Sequence, residues 1–470
     1  MFVSERYSEG HRFPGMAPYE SEKPLSCVEK ACIIGAGPSG LVAAKVLYQR
    51  GIPFDGFEKG SDIGGLWRYE NDSGLSPAYA SLHTNTSKAK TAFSDFPMPE
   101  DYPDFPSHAQ LLAYLEQYTA HFGFRDRFTF CTEVVRVAPV GDGTYRVTVR
   151  HCKTSESQTH RYGAVLVCSG HHWYPNWPNL PGKFDGEVMH SRDYRKPDVF
   201  QGKRVLIVGI GNSACDIACE AVGYAQAVWL STRRGAHVIP KYLLRRPLDT
   251  WLTPLTARLP LPVQRLLFRG LVYLTQGSQK RYGFPMPNYP LGAEHPTISS
   301  ELLSLVKDGK IRVKPDVQQL EGRYVRFTDG SVEEIDLILY ATGYQVAFPF
   351  FDAAFLQVHD NYFPRYMHVV SPDHPNVYFI GLVQPLGAIM PLAEAQAEWV
   401  ADLLEGKAGL PPREMMWRWI QKEEAWRLRR FVPSKRHALE VDFYRYMRQL
   451  RRERQQGRRY PPRQALPRFT

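Results

Sequence analysis

The sequence predicts an α/β fold built around two similar strand–turn–helix units. Two glycine-rich turns carry that expectation. Gly35-Ala36-Gly37-Pro38-Ser39-Gly40 follows the apolar run ACII, and Gly209-Ile210-Gly211-Asn212-Ser213-Ala214 follows VLIV. Each run has the length of a buried parallel strand, and a helical pattern opens directly behind each turn. Composition is the third observation. The chain has 470 residues, 43% apolar and 23% charged, which is ordinary globular usage and excludes disordered, collagen-like and disulfide-framework proteins. Its length suits about two to four domains.

The elements follow in order. Residues 1–28 form a polar lead-in. A strand at 31–35 leads through the first turn into a helix ending near Arg50, and a second strand ends at Glu58. Residues 61–106 are rich in Gly, Ser, Asn and Pro and are expected to be loops. Ser107 caps a helix running to Phe122, with Gly123 as its stop. A meander follows, with strands at 128–137 and 144–150 about the turn Gly141-Asp142-Gly143, and then the strand in YGAVLVCSG (162–170). The second unit begins at KRVLIVGIGNSACDIACE (203–220) and continues with the strand AVWLS (227–231). Residues 240–292, rich in Pro, Leu and Arg, resist assignment. A helix at 298–307, a strand at 311–313 and a hairpin about Thr328-Asp329-Gly330-Ser331 come next. DLILYATGY (336–344) and NVYFIGLVQPLGAIMP (376–391) contain returning strands, and helices from Leu392 onward finish the chain.

Small residues in such turns let the backbone approach a pyrophosphate, which rests on the N-terminus of the helix behind. The residues downstream distinguish the two turns. Glu58 lies eighteen positions after Gly40 and can accept hydrogen bonds from ribose hydroxyls. At the same offset from Ala214 stands Thr232, followed by Arg233 and Arg234. An acid there would repel a 2′-phosphate, whereas a guanidinium binds it. The first site is therefore expected to take FAD and the second NADPH, unless Arg233 and Arg234 are a solvated surface pair. Such a pairing of cofactors fits reduction of a flavin by a nicotinamide.

Charge is distributed unevenly. From Arg418 onward there are 16 basic and 5 acidic residues, while the preceding chain is within one charge of neutral. The densest part, 447–469, suits an anionic lipid, a nucleic acid or an acidic partner, or else is a solvated helix with a disordered Arg/Pro end. Seven scattered cysteines point to a reducing compartment, with Cys215 and Cys219 read as core thiols. The first 25 residues lack the apolar core of a secretory signal, and no apolar run is long enough to span a membrane. His171 and His172 have no partner at ligand spacing, so no metal is expected.

One further segment is specific. Phe184-Asp185-Gly186-Glu187-Val188-Met189-His190-Ser191-Arg192-Asp193-Tyr194 fits FxGxxxHxxxY, just upstream of the second turn. Together with EKGSDIGGLW (58–67), SLHTNTSK (81–88), FSDFPMP (93–99), VCSGHH (167–172), STRRG (231–235), YATGY (340–344) and IGLVQPLGAIMP (380–391), it gives residues 29–430 a resemblance to the flavin-containing monooxygenases, a class B flavoprotein family.

The resemblance implies two Rossmann-like dinucleotide-binding domains. The FAD-binding domain (29–174 and 326–430) is discontinuous, with the NADPH-binding domain (175–325) inserted and a basic tail at 431–470. It implies that NADPH reduces FAD, that the reduced flavin captures dioxygen as a C4a-hydroperoxide, and that one oxygen passes to the nitrogen of an amine or the sulfur of a thioether. Gly35, Gly37, Pro38, Ser39, Gly40, Glu58, Lys59, Gly65, Leu66, Trp67, Val135 and Gln384 are its implied FAD cradle. Gly209, Gly211, Asn212, Ser213, Arg233 and Arg234 are its implied NADPH site. Asn85 is the implied catalytic residue beside the flavin, although TNTS alone would suit an Asx turn. Phe184, Gly186, His190 and Tyr194 form the fingerprint, with His190 fixing loop geometry. The helix after Pro391 is expected to point its positive end at the flavin.

A Baeyer–Villiger monooxygenase, which converts ketones to esters, is the nearest alternative. Its fingerprint ends in Trp followed by Pro or Asp, where this chain has Tyr194-Arg195. A disulfide reductase would need a CxxxxC pair that 63–74 lacks. An NADPH oxidase or reductase and an interaction protein acting through the tail complete the set. The tail is expected to be dispensable, so that removal of 447–470 leaves turnover intact. The chain is expected to be cytoplasmic and to bind no nucleic acid. Segment 240–292 is expected to line a substrate tunnel, cover the site or touch an anionic membrane weakly; a homodimer is open.

Overall fold

The computed structural model describes residues 30–432 and 438–461. The polar lead-in at 1–28, with Cys27, and the Arg/Pro end from 462 lie outside the described residues.

Five parallel strands make the first sheet, in the order Phe128–Thr129, Phe54–Phe57, Ala31–Ile34, Ala164–Val167 and Val377–Phe379. Ala31 stands opposite Phe54 on one side and Ala164 on the other. All four residues of the central strand are buried, which is why its sequence is a continuous apolar run and not an alternation. Helix α1 (Pro38–Gln49) makes the first crossover. Pro38 opens it, where a missing N–H costs nothing, and Gly40 through Leu47 are buried. Helix α2 (His108–Phe122) begins at a capping box. Ser107 Oγ accepts the Gln110 N–H, and the Gln110 amide oxygen accepts the Ser107 N–H. Gly123, at φ 71°, ends it as its position predicts.

The meander is a three-stranded antiparallel sheet of Thr132–Pro139, Tyr145–His151 and Ser157–Tyr162. Its third strand is not evident in the sequence, because SQTHR is polar and exposed throughout and carries no alternation.

The second sheet is also five-stranded and parallel, ordered Glu187–His190, Leu337–Tyr340, Arg204–Val208, Ala227–Ser231 and Ile311–Lys314. Helix α3 (Asn212–Ala221) follows its central strand. This arrangement corrects the expected boundary at 325. Leu337–Tyr340 pairs with both Arg204–Val208 and Glu187–His190, and the hairpin strands of 317–334 pack on Gly182–Phe184. The second unit therefore runs through Tyr340, and the first sheet receives the chain again only at Val377–Phe379. A four-residue apolar strand looks the same for either sheet; pairing register decides between them.

Segment 240–292 contains a short hairpin, 3₁₀ turns and helix α4 (Leu261–Gln276), no residue of which is buried. The expected helix at 298–307 is shorter, Leu302–Lys307, because Thr297–Ile298 pairs as a strand with Val238–Ile239. Helices α5 (Met390–Leu404), α6 (Arg413–Arg430) and α7 (Phe443–Gly457) complete the first unit.

Within the stretch 431–470, expected to be a basic tail, the described residues include a helix that is part of the first unit's core. Helix α7 packs on α5 and buries Tyr446 and Leu450 in the core beneath the first sheet. Tyr446 donates its hydroxyl to the Met367 carbonyl (2.6 Å) and accepts from Gln396 Nε2 (2.8 Å), whose Oε1 accepts the Gly381 N–H (2.7 Å). Arg454 pairs with Asp402 (2.7 Å), which also holds Arg50 (2.5 Å), so one carboxylate ties α1, α5 and α7 together. The arginine density conceals an amphipathic helix whose apolar residues fall at 446 and 450, one turn apart.

Candidate active site

A single cleft of about 1640 Å³ runs from the first glycine-rich turn to the second, across the carboxyl ends of both sheets. Ligand cavities for one small molecule span roughly 300–1,000 Å³, so this one has room for more than a single dinucleotide.

The first turn is shaped by close approach. Gly35 has φ +100° and would place a Cβ 2.9 Å from the Cys168 carbonyl oxygen, and a Cβ on Gly40 would overlap the Gly35 carbonyl oxygen. These two glycines serve the packing of strand against helix. Gly37 differs. Its φ is ordinary, and the only atom within 4 Å of its Cβ position is Gly65 Cα, at 3.6 Å. Its open side faces the cleft, which Gly35, Pro38, Ser39, Gly65, Leu66 and Trp67 also line, whereas Gly40 does not. Glu58 is only 8% exposed. Its Oε2 accepts the Ala36 N–H (2.7 Å) and its Oε1 the Gly60 N–H (2.8 Å), which leaves lone pairs toward the cleft for hydroxyl donors. Burial pushes its pKa up, and the backbone donors of Ala36 and Gly60 pull the other way. Lys59 is turned to Glu133 (2.9 Å) at the same rim.

Of the two remaining expected cradle residues, one lines the cleft and one does not. Gln384 lines the cleft from a two-residue strand paired with Glu440–Val441. Val135 does not line it; Val134 does. The register of its strand shifts between Val134 and Arg136, so Val135 is the bulged residue and its neighbour takes the inward place. The N-terminus of α5 also opens onto the cleft through Gly387, Ala388, Ile389 and Met390. Its unpaired N–H groups present positive charge there.

Asn85 lines the cleft. The flanking backbone is fixed, with the Thr84 N–H on the Pro106 carbonyl (2.9 Å) and the Ser87 N–H on Asp249 (2.6 Å). The Asn85 amide forms no Asx-turn bond and takes no hydrogen-bond partner among the described residues, so its donor and acceptor both stay free.

At the far end Gly209, Gly211, Asn212, Ser213, Arg233 and Arg234 line the cleft. Gly209, at φ +132°, could carry no side chain without striking the Ala341 carbonyl. Asn212 accepts the Ile298 N–H (2.8 Å) and is held by it. The two arginines are inequivalent. Arg234 pairs with the buried Glu294 (3.3 Å) and lies over the Tyr289 ring. Arg233 is exposed and has no ion-pair partner among the described residues.

None of the four fingerprint residues lines the cleft. Phe184 belongs to a strand, and Gly186 has no room for a Cβ, which would stand 2.6 Å from the Asp336 carbonyl oxygen. His190 is wholly buried between the rings of Trp177 and Tyr344, its Nδ1 accepting the Arg192 N–H (3.1 Å). Tyr194 donates to Glu220 on α3 (2.7 Å) and stacks on Phe200. Arg195, which follows it, binds the first unit, donating to the Ser76 carbonyl (3.1 Å) and accepting the Ala80 N–H (2.9 Å). The fingerprint thus buckles one unit to the other.

Several cleft residues have no sequence signal. Leu261, Gln264, Arg265 and Phe268 form one wall from the inner side of α4. Its spacing is helical, but the prolines and arginines around it obscure the period. His171, which the sequence marks within VCSGHH, lines the cleft half-buried, with no hydrogen-bond partner at Nε2. Burial pushes its pKa well below the ordinary value, so its ring is neutral. No group of three or more metal-ligating side chains forms among the described residues.

The donors fit two dinucleotides. The Gly37 opening, the Glu58 carboxylate and the N-terminus of α1 suit a diphosphate with an unsubstituted ribose. The Gly211 turn and the free Arg233 suit a second diphosphate and a ribose phosphate.

Over residues 28–455 the chain matches the family described as flavin-binding monooxygenase-like. It is 36% identical over 441 residues to dimethylaniline monooxygenase (N-oxide-forming) 2 of Oryctolagus cuniculus, covering 90% of this chain and 82% of that one. It is 36% identical over 435 residues to flavin-containing monooxygenase 5 of Rattus norvegicus, covering 88% and 80%. Among solved structures, S-allyl-L-cysteine S-oxygenase of Allium sativum superposes with a TM-score of 0.69 at 26% identity, over 91% of this chain and 88% of that one. The open form of cyclohexanone monooxygenase gives 0.69 at 18% identity over 92% and 99%, a likeness of fold alone.

Proposed function

The chain belongs to the flavin-binding monooxygenase-like family, and we propose that it uses NADPH and dioxygen to place one oxygen atom on a soft nitrogen or sulfur of a small molecule. For an amine the balance is NADPH, a proton, O₂ and R₃N giving NADP⁺, water and R₃N–O. The observation that carries this reading is the continuity of the cleft. One cavity holds a site suited to FAD, a site suited to NADPH, and Asn85. The names of the relatives support it: one forms an N-oxide, and a solved neighbour oxidises the sulfur of S-allyl-L-cysteine.

Bound flavin supplies the dioxygen chemistry, and bound nicotinamide supplies the reducing equivalents. The chain does the rest. Glu58 accepts from ribose hydroxyls, and the N-termini of α1 and α3 hold the two diphosphates. Arg233 takes the ribose phosphate that Arg234, committed to Glu294, leaves to it. Asn85 offers its amide N–H groups as donors and its carbonyl oxygen as acceptor to whatever reacts beside it. Leu261 and Phe268 help exclude water, which strengthens every polar contact inside.

Part of the cleft wall faces outward as well. On α4, Leu266 is 72% exposed and Leu274 81% exposed, and Arg258, Arg269, Lys280 and Arg281 are exposed around them. This face meets an anionic membrane surface; no described helix is long and apolar enough to cross one.

The test of function is product per NADPH consumed, with N,N-dimethylaniline, S-allyl-L-cysteine and cyclohexanone as probes under ¹⁸O₂. We expect close to one labelled N-oxide or S-oxide per NADPH. Hydrogen peroxide as the sole product overturns the reading. A lactone formed as fast as the heteroatom oxides moves the chain to ketone oxygenation.

A further inference from the structure

Arg365 is a buried cation without an anion. It is 3% exposed. Its Nη1 donates to the Leu382 carbonyl (2.9 Å), its guanidinium lies 4.4 Å from the centre of the Phe363 ring, and its Nε has no partner. No carboxylate stands within 4 Å of it among the described residues. Burial lowers its pKa to about 10, which still leaves it charged at neutral pH. Taking an unpaired charge out of water is costly, and one carbonyl and one ring face offset only part of that.

The titratable groups around Arg365 do not neutralise it. Tyr362 and Tyr446 are phenols, and burial pushes Tyr446 well above the ordinary value. Desolvation lowers the pKa of both the half-buried His171 and the buried His368, which favours their neutral forms. Glu423, beside His368, is already taken by Arg445, whose Nη2 lies 2.6 Å from Oε2. A positive charge therefore remains, and it lies directly behind the wall of the cleft. Leu382, which it holds, sits between Gly381 and Val383, and both line the cleft, as do Gln384 and the start of α5. Gly381 itself packs on Ser39 of α1.

We propose that Arg365 is the fixed counter-charge for the reduced flavin ring, which is anionic at neutral pH, and that it thereby sets the reduction potential of the bound cofactor. The assignment rests on the flavin reading above. Arg365 acts through the wall and does not touch the reacting atoms, so it is a positioning residue in the electrostatic sense. The apo protein bears the cost of the buried charge, and the reduced holoprotein recovers it.

The test compares wild type with Arg365→Met, using flavin-loaded protein for spectroelectrochemical titration and flavin-free protein for thermal unfolding. The expected result is a shift of the redox equilibrium toward oxidised flavin of tenfold or more, about 30 mV for a two-electron couple. Arg365→Lys restores most of that shift, and flavin-free Arg365→Met melts no lower than wild type. If Arg365→Met does not fold, Arg365→Gln, which keeps a donor for Leu382 but no charge, carries the same titration. An unmoved potential overturns the proposal, as does a flavin-free variant that melts well below wild type. Weakened FAD binding with an unmoved potential assigns the charge to the diphosphate and also overturns it. A wild-type protein that takes up no flavin overturns the functional reading and this one together, whereas a yellow protein with unmoved potential overturns this one alone.

Discussion

At the scale of single residues, two glycines of one turn separate what the fold needs from what the ligand needs. A Cβ on Gly40 would overlap the Gly35 carbonyl oxygen, while one on Gly37 meets only Gly65 Cα at 3.6 Å. Gly40→Ala is therefore expected to cost the flavin-free protein about 3 kcal/mol. Gly37→Ala should leave its unfolding temperature almost unchanged yet weaken FAD binding at least tenfold, because the new methyl group enters the cradle. Thermal unfolding of the flavin-free proteins and a titration with FAD separate the two effects. The sequence motif alone treats both glycines alike. Legibility at this scale follows backbone regularity: Glu58 and Gln384 reach the cleft as their spacing or likeness implies, but the bulge at Val135 moves the inward place to Val134. Arg365 was not legible, since nothing in its sequence surroundings tells a buried cation from a surface one.

At the scale of elements, the clearest sequence signals were those written in local chemistry. Ser107 and Gln110 cap α2 and Gly123 ends it, and a continuous apolar run marks each central strand. The elements that local sequence does not place are those defined by a distant partner, such as Leu337–Tyr340 and α7. Helix α7 is held to α6 by Arg445 and Glu423. Burial would push the Glu423 carboxyl up, but its pairing with the His368 ring and the Arg445 guanidinium overrides that and holds it at about 2. A depressed carboxyl pKa contributes stability above its ordinary value of 4.5, and that contribution is lost as the pH falls toward 2. Glu423→Gln is expected to destabilise the protein by about 2 kcal/mol at pH 7, leaving the partly exposed Arg445 without its anion. Between about pH 4.5 and 2 the variant should lose less further stability than wild type. Denaturant unfolding across that range measures both.

At the scale of the molecule, the two-unit architecture was legible because each unit announces itself by the same turn. The way the units meet was not, because it depends on contacts between segments far apart in sequence. Tyr79 from the first unit donates to Asp216 on α3 (2.9 Å), and Arg195 reaches back to Ser76. The outer face of α4 also belongs to this scale, as a surface and not a site. Flotation with vesicles containing anionic lipid should carry the protein upward at low salt and release it as salt is raised. No flotation removes the membrane assignment, and salt-insensitive self-association instead makes the face a contact between two copies of the chain.

The closing of the first sheet also sets an order of assembly. Its central strand, Ala31–Ile34, is made early, but Val377–Phe379, α5 and α7, which cover it, are synthesised hundreds of residues later. The second sheet draws all its strands from the uninterrupted stretch between Glu187 and Tyr340. During translation the inserted unit can thus become compact while the first still waits, its apolar strands open, for Tyr446 and Leu450 to leave the ribosome. The turn that is read first along the chain is finished last.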